Sequence, residues 1–107
     1  MIGLWQNLFI LRFIVTDINI KQMPSFKRVY KKLHKQHQKI VNEAILAVVN
    51  NPLIGEEKKG DLVGVYVYKF KMHNQEFLLA YEWDPLNRLL LSLGVHENFY
   101  RDLKKVP

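Results

Sequence analysis

The chain is expected to fold as an α+β domain, a helical hairpin packed on one face of a small antiparallel β-sheet. Three observations predict this. Apolar residues recur at helical spacing between Phe26 and Val48. Three runs rich in Val, Leu, Tyr and Phe follow Gly60. The connections between those runs are only hairpin length, so the strands should form an antiparallel meander rather than crossovers.

The elements follow in order. Ile18 to Gln22 reads as a short strand leading to Pro24-Ser25, and Ser25 is a candidate helix N-cap because its hydroxyl can accept from the free amides of the first turn. Phe26, Val29, Tyr30 and Leu33 then share one helical face, with Lys27, Arg28, Lys31 and Lys32 on the other. The polar segment HKQHQK interrupts this stripe, and Ile40, Val41, Ala44, Ile45 and Val48 resume it, so two helices are expected rather than one. Asn50-Asn51-Pro52 ends the second, since proline disfavours helix at the residue before it. The polar loop PLIGEEKKG leads to strand candidates over Leu62–Met72, Glu76–Trp83 and Arg88–Val95. His73-Asn74-Gln75 makes the first turn, and Asp84-Pro85-Leu86-Asn87 has its proline at the second position of a type I turn. The nearly continuous apolar run in the last strand places it centrally, covered on both sides. Lys69 and Lys71 alternate with Tyr68 and Phe70, so they should share the face of Val65 and Val67 and stand on an open side of the sheet.

At 107 residues the chain holds one core. Residues 18–107 are read as the domain and residues 1–17 as an apolar N-terminal extension. MIGLWQNLFILRFIV lacks the basic start and small-residue cleavage site of a secretory signal, and a membrane span needs about 18 apolar residues, so no membrane role is expected. The extension is read as an added strand or helix packing on the domain, or as upstream of an alternative start near Val15. The absence of cysteine excludes disulfides, thiolate metal sites and cysteine nucleophiles, and it fits a cytoplasmic location. The net charge is +6, and seven basic residues with no acid lie between Lys21 and Lys39. Such a field attracts nucleic acid, an anionic membrane surface or an acidic partner protein.

The stretches FKRVYKKL, NNPLIGEEKKGDLVGVYVYKFK, EFLLAYEWD and LGVHENFYRDL, the last with the pattern G-x-H-x-x-x-[FY], resemble the RelE/ParE superfamily of toxins from type II toxin–antitoxin modules over about residues 18–104. The resemblance, to the YafQ-like or RelE-like branch, implies a small cytoplasmic toxin held by a cognate antitoxin. Many relatives are mRNA interferases, endoribonucleases that cut mRNA on the ribosome and so inhibit translation. The ParE branch instead poisons DNA gyrase without nuclease residues, and an inactive antitoxin-binding homologue is a third alternative. Fold alone does not choose among these.

RNA cleavage without a metal or other cofactor needs a base for the 2′-hydroxyl, a cation for the phosphate and an acid for the leaving oxygen, and histidine serves the first and third tasks near neutral pH. By resemblance, His96 supplies acid–base chemistry, Glu76 matches an acidic catalytic residue, and Tyr100 matches an aromatic residue of the site. His73 stands beside Met72, where the YafQ-like site has a further histidine. Lys58, Lys59, Lys69 and Lys71 fall where relatives carry phosphate-binding residues, and the helical cluster with Lys31 and Lys32 offers contacts to ribosomal RNA or the antitoxin. Leu78 departs from the pattern, because RelE-type nucleases carry an arginine there. His34 and His37 have no metal-ligand partner in the sequence and read as surface or helix-junction residues. Tyr66, Tyr68, Phe70, Phe77, Tyr81 and Trp83 read as sheet core.

Overall fold

The computed structural model describes residues 18–95. Strand β1 (Asn19–Gln22) leads into helices α1 (Pro24–Lys32) and α2 (Lys35–Asn50). Strands β2 (Glu56–Glu57), β3 (Tyr66–Met72), β4 (Gln75–Asp84) and β5 (Asn87–Val95) follow, with a 3-10 turn at Gly60–Leu62 before β3. The five strands form one sheet in the order β1-β5-β4-β3-β2. The meander β3–β4–β5 is antiparallel as expected, but β1 joins β5 in parallel, from Asn19 opposite Asn87 to Gln22 opposite Leu90. The sheet is therefore mixed. The helical hairpin carries the chain to the far edge, and three reversals from β2 bring β5 back in the direction of β1.

Helix α1 starts on Pro24, whose missing N–H costs nothing in a first turn. Ser25 is not the cap: Met23 occupies that position, and the Ser25 hydroxyl donates instead to the Leu91 carbonyl on β5. The two helices separate at Leu33 and His34, both in extended conformation. The rest of HKQHQK enters the first turns of α2. There the Gln38 side chain donates to the Tyr30 carbonyl at 2.9 Å, and the Tyr30 hydroxyl donates to Asn42 Oδ1 at 2.7 Å. These bonds tie the end of α1 to the start of α2, and the Tyr30 carbonyl also accepts from the Leu33 N–H at 3.1 Å.

One face of the sheet carries the main core. Phe26, Val41, Ala44 and Val48 from the helices meet Met72, Leu79, Tyr81, Leu90 and Leu93. The aromatic residues expected in the core, Tyr66, Tyr68, Phe70, Phe77 and Trp83, flank this cluster, and Tyr81 lies within it. Tyr81 is 0 % exposed; its hydroxyl donates to the Pro52 carbonyl at 2.7 Å and accepts from Gly55 N–H at 3.0 Å. A Cβ on Gly55 would lie 2.6 Å from that hydroxyl, so only glycine admits this close approach. Burial pushes the Tyr81 phenol pKa up, partly offset by the Gly55 N–H.

The opposite face differs from the open surface expected of it. Val65, Val67, Leu78, Ala80 and Leu91 form a second buried cluster, with Met23, Leu62 and Leu89 at its margin. Alternation places residues on a face but does not say whether that face is covered. Leu91 is an extra residue in β5, since Tyr81 pairs with Leu90 while Ala80 pairs with Ser92. This bulge gives the strand one more residue than its partner.

Arg88 is 3 % exposed and was not anticipated from a run read as apolar. Its guanidinium donates to the carbonyls of Val48 (3.2 Å) and Val49 (3.0 Å) at the end of α2, and to those of Asp84 (2.7 Å) and Asn87 (3.0 Å) at the β4–β5 turn. Burial lowers its pKa, and the nearby Asp84 charge opposes that shift. In the turn, Asp84 Oδ1 accepts from the backbone N–H of Leu86 and of Asn87, both at 2.8 Å. The Leu86 N–H is the main cause holding its carboxyl below the ordinary value, with the Asn87 side chain next.

Replacing Arg88 with Ala should cost about 3 kcal/mol in urea unfolding, because four carbonyls lose a shared donor. Arg88→Lys should recover only part of that loss, since an ammonium cannot reproduce the planar fork. The depressed Asp84 carboxyl contributes stability that is present above the ordinary carboxylate range and lost as pH falls through its folded value. Asp84→Asn should therefore flatten the acid limb of a plot of thermal midpoint against pH.

Candidate functional site

The candidate residues are distributed by strand register. Lys71 stands directly opposite Glu76 and Lys69 opposite Leu78 in the β3–β4 ladder, on the face away from the helices. All three charged side chains are exposed, whereas Leu78 is 0 % exposed. Directly opposed cross-strand residues have Cβ atoms about 5 Å apart, so the Lys71 ammonium and the Glu76 carboxylate are within reach of one ligand. The next strand continues the row: Leu78 pairs with Gly94 and Phe77 with Val95, the last described residue of β5. The patch thus consists of a carboxylate and two ammonium groups over a buried leucine, beside the end of β5. His96 and Tyr100 lie outside the described residues, as do residues 1–17.

The other lysines do not join this patch. Lys58 is half-buried, with its ammonium 3.2 Å from Glu56 and its amide donating to the Val65 carbonyl. Lys59 is exposed beside it. Val65 precedes Lys69 by four residues, so the pair Lys58–Lys59 stands roughly 13 Å along the strand from Lys69. Lys31 and Lys32 are exposed on α1 with Lys27 and Arg28, on the helix side of the sheet. The basic residues accordingly form two surfaces separated by the sheet.

His73 does not face Glu76. His73 and Asn74 have φ of 51° and 65°, the left-handed values of a two-residue type I′ turn, where Asn-Gly is the favoured pair. The His73 ring packs on His37 of α2 with 4.5 Å between centroids. His37 in turn lies 6.2 Å from His34, which occupies the cap position of α2. His34 and His37 are thus at the helix junction as expected, and the contact to His73, 36 positions away in sequence, is new.

An open groove of about 390 Å³, lined by Lys21, Glu82, Trp83, Asp84 and Arg88 among others, lies at the opposite end of β4. From Glu76 to Asp84 is roughly 27 Å along an extended strand, so the groove and the charged patch are separate features. Among the described residues no helix is long and apolar enough to cross a membrane.

The family described as ParE-like toxin of type II bacterial toxin–antitoxin system matches residues 20–104. The fold is similar to the intact RelBE toxin–antitoxin complex of E. coli (TM-score 0.60, 17 % identity, covering 75 % of this chain and 98 % of that one). It is also similar to the YoeB dimer of Staphylococcus aureus (0.60, 26 %, 76 % and 99 %). A third similar structure is the YoeB/ParE toxin of Agrobacterium tumefaciens (0.59, 15 %, 75 % and 100 %). No curated protein sequence matches the chain.

The patch residues are exposed, so their replacement should leave the fold intact. Glu76→Gln, Lys69→Ala and Lys71→Ala should each change stability by less than about 1 kcal/mol in urea unfolding. Any larger loss of activity in these variants would then be a local effect.

Proposed function

This chain belongs to the ParE-like toxins of type II bacterial toxin–antitoxin systems, within the RelE/ParE superfamily, and we propose that it acts as an mRNA interferase that inhibits translation on the ribosome. The observation that carries this reading is the placement of Lys69, Lys71 and Glu76 on one exposed stretch of β3 and β4 beside the end of β5. Two ammonium groups suit the charge that builds on a cleaved phosphate, and a carboxylate within a few ångströms suits proton transfer from a 2′-hydroxyl. His96, the residue after Val95 in the sequence, is the proposed partner of Glu76 in acid–base work. Tyr100 is proposed to hold the base by stacking. The reaction so written is an internal displacement: the 2′-oxygen attacks the adjacent phosphate, one proton leaves to the base, and another is delivered to the departing 5′-oxygen.

A cognate antitoxin is the proposed protein partner, as an acidic segment that folds onto the basic surface of α1 with Lys27, Arg28, Lys31 and Lys32. The similar E. coli RelBE structure is itself a toxin–antitoxin complex, which supports this partner. One observation favours a second reading. Leu78, at the position where RelE-type nucleases carry arginine, is fully buried and offers no charge to a phosphate. A ParE-type gyrase poison would need no such charge.

Expression in bacterial cells separates the two. Under the nuclease reading, primer extension shows discrete new 5′ ends in mRNA, and His96→Ala and Glu76→Gln each reduce cleavage by about 10²–10⁴-fold, the usual weight of a general acid or base. DNA-damage induction with intact mRNA, and full toxicity in both variants, would establish the gyrase reading instead.

A further inference from the structure

The corner where α1, α2 and the β3–β4 turn meet gathers three imidazoles that the proposed chemistry does not use. His34 caps α2, His37 lies in its first turn, and His73 forms the hairpin turn. We propose that His37 and His73 form a two-imidazole site for a late first-row divalent cation such as Zn²⁺ or Ni²⁺, clasping α2 to the β3–β4 hairpin.

The separation of the two rings matches that of a chelating pair. A metal–imidazole bond of about 2.05 Å puts the ring centroid about 3.2 Å from the ion. Two rings meeting at 90–109° would then have centroids about 4.5–5.2 Å apart. The His37–His73 separation is 4.5 Å with the rings tilted by 57°, at the lower end of that range. His34, at 6.2 Å from His37, flanks the pair without completing a third arm. Among the described residues no group of three or more His, Cys, Asp or Glu is placed to hold an ion, so water fills the remaining positions. The site is consequently open and exchangeable, unlike a four-ligand structural zinc site.

The backbone at His73 gives a second reason to assign it a task. A non-glycine residue at φ 51° in a type I′ turn is less favourable there than Asn or Gly. Such positions recur where the side chain has a function. The neighbourhood also selects the ion. Imidazole prefers Zn²⁺, Ni²⁺ and Cu²⁺, whereas Mg²⁺ and Ca²⁺ require oxygen ligands. Lys35, Lys39 and Lys71 stand two positions from His37 or His73 in sequence, and no carboxylate does. Coordination by nitrogen lone pairs, rather than charge attraction, therefore holds the ion.

The two residues come from different elements, so the ion binds the folded chain in preference to the unfolded one and stabilises it by mass action. The test uses the full chain with ZnCl₂ or NiCl₂ at pH 7.5, followed by thermal unfolding. At 100 times the dissociation constant the midpoint should rise on the order of 10 °C. MgCl₂ should produce no rise, since Mg²⁺ requires oxygen ligands. His73→Asn keeps a residue that tolerates the turn, and His37→Gln keeps a helix former. Each should retain the metal-free midpoint within a few degrees and lose the response to Zn²⁺ and Ni²⁺. Perturbation of the His37 and His73 ring-proton resonances on adding Zn²⁺ gives a readout independent of stability. An unchanged midpoint and unchanged resonances in the native chain, or a full response in both variants, would overturn the proposal. Because none of these readouts involves RNA or growth arrest, their outcome is separate from that of the interferase reading.

Discussion

A single buried guanidinium organises this fold. Arg88 sits between the last carbonyls of α2 and the carbonyls of the β4–β5 turn, and it donates to both sets. Helix carbonyls at a C-terminus are unpaired within the helix and carry the negative end of its dipole, so they are a natural seat for a cation. The guanidinium is matched to backbone oxygens instead of a carboxylate, and its fork geometry spreads one charge over four acceptors. Tyr81 performs the complementary task one turn further on, where its hydroxyl holds the Pro52 carbonyl and the Gly55 amide. Together they determine where the chain leaves α2 and enters the far edge of the sheet.

That placement divides the sheet into two unlike faces. The helix side is filled by Phe26, Val41, Ala44 and Val48 against Met72, Leu79, Leu90 and Leu93. The other side begins as a small apolar cluster around Val65, Val67, Leu78 and Ala80, then gives way to Lys69, Lys71 and Glu76 toward the β3–β4 turn. The charged groups therefore rest on a rigid ladder whose strands are packed from behind. Exposure of these charged groups and burial of their support come from the same alternation of side chains.

The helices, their boundary at Pro52 and the two hairpin turns were legible because each has a local cause: a stripe of period 3.6, a missing amide, or a turn residue of fixed φ. The central position of β5 was legible from its apolar run. Arg88 was not, because an arginine at the start of such a run is indistinguishable from a surface residue until the helix end that receives it is known. The parallel pairing of β1 escaped for a related reason, since edge pairing depends on where the chain returns and not on any local pattern. Strand β2 has two residues and no periodicity to detect. Of the site, the shared face of Lys69 and Lys71 followed from period-2 alternation. The register with Glu76 did not, because a three-residue turn His73-Asn74-Gln75 sets Met72 opposite Glu76, and the hairpin closes with two residues instead. The turning of His73 toward His37 did not, because it depends on positive φ at a residue that seldom adopts it. The roles of His96 and Tyr100 rest on the family resemblance.

The extra residue in β5 has a genetic consequence. Leu91 lets Leu90 and Leu93 both meet the helices although three positions separate them, which a regular strand of period 2 forbids. Loss of the single codon for Leu91 would preserve the reading frame and, with Leu90 held opposite Tyr81 and Ser92 opposite Ala80, would leave a regular strand in which Leu93 still faces the helices. What the strand would lose is the side chain that Leu91 buries in the cluster on the opposite face. A one-codon deletion there removes a bulge and one buried side chain without reversing the faces of the strand.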